Sequence, residues 1–182
     1  GLIDRRQAMG VRTFLNTIET LANPAGASVH LGSFYHLAFA KKLADTIAES
    51  ETLSFERAIL FQGMEGYDDV RPGHTQVAEW AADGAGGTLE DYEIETGEYG
   101  MGMVEADLHV EDVAVDSARI TEEILAGDRS DHFADAVELN AALRIYAGGD
   151  AGSIDGGLEA ARSAITDGSA AAVLSDLRGF GG

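Results

Sequence analysis

Arg57-Ala58-Ile59-Leu60-Phe61-Gln62-Gly63-Met64-Glu65-Gly66-Tyr67-Asp68-Asp69-Val70-Arg71-Pro72-Gly73-His74-Thr75-Gln76-Val77-Ala78-Glu79-Trp80 is the stretch from which the rest of the chain can be read. The apolar run Ala58 to Phe61 has the length and pattern of a buried strand. Gly63 and Gly66 break it, and two adjacent carboxylates, Asp68 and Asp69, follow. Arg71-Pro72-Gly73 turns the chain, and Thr75 to Ala81 predicts a second strand. In open α/β sheets ligands collect just past the carboxyl ends of strands. An acid pair bounded by glycines in that place suits a divalent cation held against a phosphate. A solvated turn is the competing reading of the same residues.

Working outward, residues 2–21 are helical in pattern and interrupted by Gly10. Ser28 to Phe34 predicts a strand and Leu37 to Ala48 a helix with one apolar stripe. Leu89 to Glu95 alternates weakly and predicts a strand after a glycine-rich turn at 83–88. Residues 97–114 lack a period and read as a long surface loop. Beyond them the chain is helical. Asp116 is the expected cap of a helix to Ala126, and Ser130 or Asp131 the cap of Phe133 to Ala147, which Gly148-Gly149 ends. That helix carries apolar residues on more than one face, so it is expected to be central. Ser153 to Ile165 and Ser169 to Leu177 complete the helices. Strands early and helices late predict an α/β fold: a mixed sheet with packed helices. No dinucleotide-binding glycine fingerprint follows a strand, and no P-loop occurs.

Composition narrows the function. The chain has 182 residues, no cysteine and no apolar run long enough to span a bilayer. No leader is visible, and a cytoplasmic location is expected. Thirty-two acids against twelve bases give a net charge of −20. The acids are scattered, as on a solvated surface that repels itself at low salt. We read this as adaptation to a salt-loaded cytoplasm. The same charge argues against nonspecific nucleic-acid binding, which needs a basic face. The five histidines show no metal-ligand spacing, and no nucleophilic triad is suggested. His74 lies close enough in sequence to Asp69 to touch a phosphate, although loop exposure explains it as well. Trp80, Phe61 and Tyr146 read as core residues.

Three blocks carry a family resemblance. Arg5-Arg6-Gln7-Ala8-Met9-Gly10-Val11-Arg12-Thr13-Phe14-Leu15-Asn16, with Leu21-Ala22-Asn23-Pro24-Ala25-Gly26-Ala27, resembles the anthranilate phosphoribosyltransferase family. Gln62 to Asp69 falls where that family has its glycine-rich Asp-Glu element, and Ala136-Val137-Glu138-Leu139-Asn140-Ala141-Ala142 resembles its Leu-Asn-Ala-Ala helix. The resemblance implies a nucleoside-phosphorylase/phosphoribosyltransferase-like α/β domain. It implies Mg²⁺-assisted transfer of phosphoribose from phosphoribosyl pyrophosphate to an aromatic amine such as anthranilate, a step of tryptophan biosynthesis. Asp68 and Asp69 match the metal-binding pair, and Arg6 an arginine that contacts the acceptor. The resemblance further implies that residues 1–182 are the C-terminal part of a catalytic domain. The helical domain and pyrophosphate loop would lie elsewhere, the full-length enzyme would be a homodimer, and this fragment alone would be inactive.

Two departures stand out. Asp69 is one methylene shorter than the family's Glu, and Glu19-Thr20 replaces its Gly-Pro near the acceptor. A carboxylate there opposes an anionic acceptor. Residues 16–21 and 62–66 look closer to a paralogous branch, so a non-catalytic relative binding nucleic acid or a nucleotide is the alternative. A nucleoside phosphorylase would share the fold. The charge itself makes a prediction: the protein loses its fold in dilute buffer and regains it in molar salt, where the Debye length falls to roughly 3 Å. Melting curves across that range check it, and an unchanged midpoint would reject it.

Overall fold

The computed structural model describes residues 20–63 and 68–180. Within them the chain runs β1 (Val29–Ser33), α1 (Leu37–Glu49), β2 (Arg57–Phe61), β3 (His74–Ala81) and β4 (Thr88–Glu95). Two short 3-10 turns follow, Thr96–Tyr99 and Glu105–Leu108, and then α2 (Val113–Leu125), α3 (His132–Gly148), α4 (Ile154–Thr166) and α5 (Ser169–Phe180). The sheet order is β1-β2-β3-β4. β1 and β2 are parallel, joined by the crossover through α1; β2–β3 and β3–β4 are antiparallel. The mixed sheet expected from the sequence is present.

β2 explains the layers. Ala58, Ile59, Leu60 and Phe61 are all fully buried. Side chains alternate across a strand, so the run divides between two cores. Ala58 and Leu60 pack with Ala78, Trp80 and the α1 stripe of Ala40, Leu43, Ala44 and Ile47. Ile59 and Phe61 pack with Val77, Ile94 and the α3 residues Leu139, Ala142, Leu143 and Ala147. A strand covered on both faces reads as a continuous apolar run, which is why the sequence announced it.

The helices begin where short polar side chains satisfy their first amides. Asp131 caps α3 through the amides of Phe133 and Ala134, and Ser153 caps α4 through Gly156. Gly149, at φ 86°, ends α3 as expected. The cap of α2 needs correction. It is Asp112, whose Oδ1 accepts from the Ala114 and Val115 amides, while Asp116 lies in the first turn and accepts from the Asp112 amide. Both aspartates serve the helix start, and the sequence offered no means of ranking them.

The segment after β4 also differs from expectation. Residues 97–114 are not a plain surface loop. Met101 and Met103 are 1% and 2% exposed and fill the core between the sheet and α3. Unbranched methionines fit irregular gaps without imposing a period, so their burial leaves no pattern to read. The helical reading of residues 2–21 lies outside the described residues except for Thr20 and Leu21, which form a turn. No helix among the described residues is long and apolar enough to cross a membrane.

α3 is central: it lies on the sheet and carries α4 on its back. The approach of α4 is close because Gly157 is buried against the backbone of Ala142. A Cβ at position 157 would collide with the Ala142 carbonyl oxygen, a rigid backbone atom. Gly157→Ala should therefore push the two helices apart and destabilise the fold by about 1–3 kcal/mol. Denaturant melting checks this; a neutral or stabilising effect would show that the contact is softer than its geometry.

Candidate functional site

The acid pair sits on a loop pinned at both ends. At its start, the Gln62 amide bonds Gln76 and the Gln62 side chain donates to the Tyr35 carbonyl, 2.9 Å away in each case. Tyr35 follows β1, so the loops leaving the carboxyl ends of the two parallel strands are tied together. At its end, Val70 is buried among the core residues shared with α3. The Arg71 amide donates to Thr75 Oγ1 at 2.8 Å and the Gly73 amide to Thr96 Oγ1 at 3.0 Å. Thr75 and Thr96 are the buried polar residues among the described residues, and both are spent on holding this loop.

α3 supplies the remaining support. Asn140 Oδ1 accepts the Val70 amide at 2.9 Å, while its Nδ2 donates to Ala136 O at 2.9 Å. One turn on, Arg144 Nη1 bonds Asn140 O and Oδ1 at 3.1 and 3.2 Å. Arg144 Nη2 donates to the Asp68 carbonyl at 2.9 Å. The same nitrogen lies 3.6 Å from Asp68 Oδ2 and 3.3 Å from Asp69 Oδ1. The two carboxylates therefore converge on one positive nitrogen.

This convergence tests the donor set. The two carboxyl groups are 60% and 59% exposed, open to solvent and to a ligand. Exposed ion pairs contribute only about 0–1 kcal/mol, so Arg144 does not lock them. Hard oxygen donors in a pair are what Mg²⁺ uses, the rest of its shell being water and substrate oxygens. The residues present fit such an ion.

Other groups fall out differently. Arg6 lies outside the described residues. His74 is drawn to the β3–β4 hairpin, where Nδ1 lies 2.9 Å from Glu95 Oε1 and Nε2 3.9 Å from Glu93 Oε1. Strand register, not sequence spacing, assembles that exposed trio. His30 on β1 has its Nε2 buried without a hydrogen-bond partner among the described residues. Burial lowers its pKa, against the opposing pull of the Thr20 backbone and Asp68. At the other end of the sheet Arg57 pairs with Glu79 at 2.6 Å and stacks on Tyr146, 4.2 Å from the ring centre. Tyr92 donates to the same Glu79, and its phenol is pushed strongly up, first by burial and then by that carboxylate. Arg144 is the site residue that sequence reasoning missed. No local signal marked it, because its contacts are with residues 76 and 75 positions away.

Comparison with known proteins sets this geometry in context. Residues 2–171 match the family model described as glycosyl transferase family, a/b domain. Anthranilate phosphoribosyltransferase from Rubrobacter xylanophilus is 32% identical over 176 residues, 93% of this chain and 48% of that protein. The enzyme of that name from Natronomonas pharaonis is 32% identical over 180 residues, 98% of this chain and 52% of its own length. The chain thus spans about half the length of the curated relatives it matches. Among solved structures, anthranilate phosphoribosyltransferase from Thermus thermophilus superposes with a TM-score of 0.74 at 27% identity, over 94% of this chain and 48% of that one. The Saccharomyces cerevisiae enzyme in complex with PRPP and Mg gives 0.70 at 22% identity, over 93% and 47%, a likeness of fold.

Asn140 makes the sharpest prediction from this geometry. Asn140→Ala leaves the Val70 amide without its acceptor in a buried place, which costs about 1–3 kcal/mol. Hydrogen exchange at Val70 should accelerate in the variant well beyond the change at β2. Equal protection in both proteins would show that another group holds the loop.

Proposed function

The chain belongs to the glycosyl transferase family, a/b domain, and from that premise we propose that the full protein transfers a phosphoribosyl group from phosphoribosyl pyrophosphate to an aromatic amine such as anthranilate. The observation that carries this reading is the identity to anthranilate phosphoribosyltransferases along nearly the whole of this chain. The residues here would form the C-terminal part of the catalytic domain. A helical dimerisation domain and a pyrophosphate loop would be supplied by the rest of the protein, which would act as a homodimer.

Asp68 and Asp69 hold Mg²⁺ in this reading. When bound, that ion supplies positive charge to the departing pyrophosphate. The chain's own contribution is placement. The Asn140, Thr75 and Thr96 anchors keep the loop at the carboxyl end of β2, so the carboxylates need no reordering when substrate arrives. The reaction breaks the bond between ribose C1 and the pyrophosphate oxygen, the acceptor amine forms the new bond at C1, and the proton the amine gives up goes to the departing pyrophosphate or to solvent. Positive charge develops on the ribose meanwhile. Arg6 would face the acceptor. Glu19 would weaken the binding of an anionic acceptor. A salt-rich cytoplasm accounts for the acidic surface, and that surface opposes nucleic acid as a ligand.

Calorimetric titration of the full protein with phosphoribosyl pyrophosphate and Mg²⁺ tests the reading. Binding is expected, with a loss of about tenfold or more in Asp68→Asn and Asp69→Asn. Binding that ignores both substitutions would remove the pair from the site. In the same preparation Glu19→Gly should lower the KM for anthranilate; an unchanged KM would remove Glu19 from the acceptor pocket.

A further inference from the structure

We infer that Arg144 is a built-in counter-cation for the Asp68–Asp69 pair, standing where a divalent ion would stand and yielding the place when that ion binds. The inference rests on the proposed metal role of the pair and goes one step further: it makes metal affinity a property set by an arginine that is not a ligand.

The geometry argues for it in three ways. A single nitrogen, Arg144 Nη2, lies within 4 Å of both carboxylates, so the guanidinium occupies the point where their fields add. Two adjacent like charges in a chain of net charge −20 repel each other and favour any cation placed between them. A divalent ion would compete for that point with twice the charge and direct oxygen coordination.

Arg144 is also free to yield. Its side chain is 41% exposed, and its second nitrogen, Nη1, has independent bonds to Asn140 O and Oδ1. Displacement therefore costs two exposed ion pairs and the bond to the Asp68 carbonyl, while the Asn140 anchor remains. The freed Nη2 would stand beside the metal with its donors unoccupied, able to bond a phosphate oxygen while Nη1 stays on Asn140. Metal and polyphosphate would then assist each other: the anion draws Arg144 off the carboxylates, and the ion fills the place it leaves. Linkage requires the effect to be reciprocal.

Mn²⁺ binding, followed by the EPR signal of the free ion, tests this on the full protein without substrate or turnover. Wild type, Arg144→Gln, Arg144→Lys and Asp68→Asn are compared at one salt concentration at which their melting temperatures agree. Arg144→Gln should bind Mn²⁺ about three- to tenfold more tightly, the scale of two exposed ion pairs removed. Arg144→Lys should stay near wild type because it keeps the charge. Adding inorganic pyrophosphate should tighten Mn²⁺ binding more in wild type than in Arg144→Gln. A purely structural arginine predicts the opposite sign, since loosening the loop weakens the site. Equal or weaker binding in Arg144→Gln, with binding still lost in Asp68→Asn, overturns the inference and leaves the metal reading standing. If no variant binds Mn²⁺, or if Asp68→Asn binds as wild type does, the metal reading falls and the inference with it.

Discussion

A strand covered on both faces leaves its neighbours little freedom of register. β2 fills two cores at once, with Ala58 and Leu60 turned to α1 and Ile59 and Phe61 turned to α3. A slip of one residue would exchange those sets, putting isoleucine where alanine fits and phenylalanine where leucine does. The parallel pairing with β1, the antiparallel pairing with β3 and the placement of two helical layers are all constrained by this one run. Gln62, which leaves its end, is held in turn by Gln76 and Tyr35.

From there the support passes through backbone amides. Val70, Arg71 and Gly73 give theirs to Asn140, Thr75 and Thr96. The acceptors belong to a helix, a central strand and the turn after an edge strand. Three separate elements therefore agree on where residues 70–73 go, although Asp68 and Asp69 stay exposed. Rigid anchors with exposed carboxylates are a reasonable arrangement for a site that must meet a charged ligand in water: position is fixed beneath, while desolvation of the acids is left to the ligand.

Much of this was legible in the residues. The strands and the helices α1, α3 and α4 were placed within a residue or two, because burial on one or two faces writes a period into the sequence; α2 begins and α5 ends about a turn away from expectation. Met101 and Met103 were not, because they enter the core from irregular backbone. The cap of α2 was misplaced because Asp112 and Asp116 are chemically equivalent and only the backbone geometry distinguishes them. In the site, the acid pair was visible as a local motif. Arg144 was not, since its meaning depends on a contact with residues some seventy positions away. The His74, Glu93 and Glu95 trio was invisible for the same reason, being made by the pairing of two strands.

The glycine at 157 has a consequence for how this protein can drift over generations. α4 presses on the helix that bears Asn140 and Arg144, and at Gly157 it does so against the Ala142 backbone, so a side chain added there has nowhere to go. α1, on the far side of the sheet, meets it through alanines, leucines and an isoleucine that can be exchanged in compensating pairs. The two coats of the sheet should therefore age at different rates, the α1 side accumulating neutral substitutions while the α3–α4 side stays nearly still.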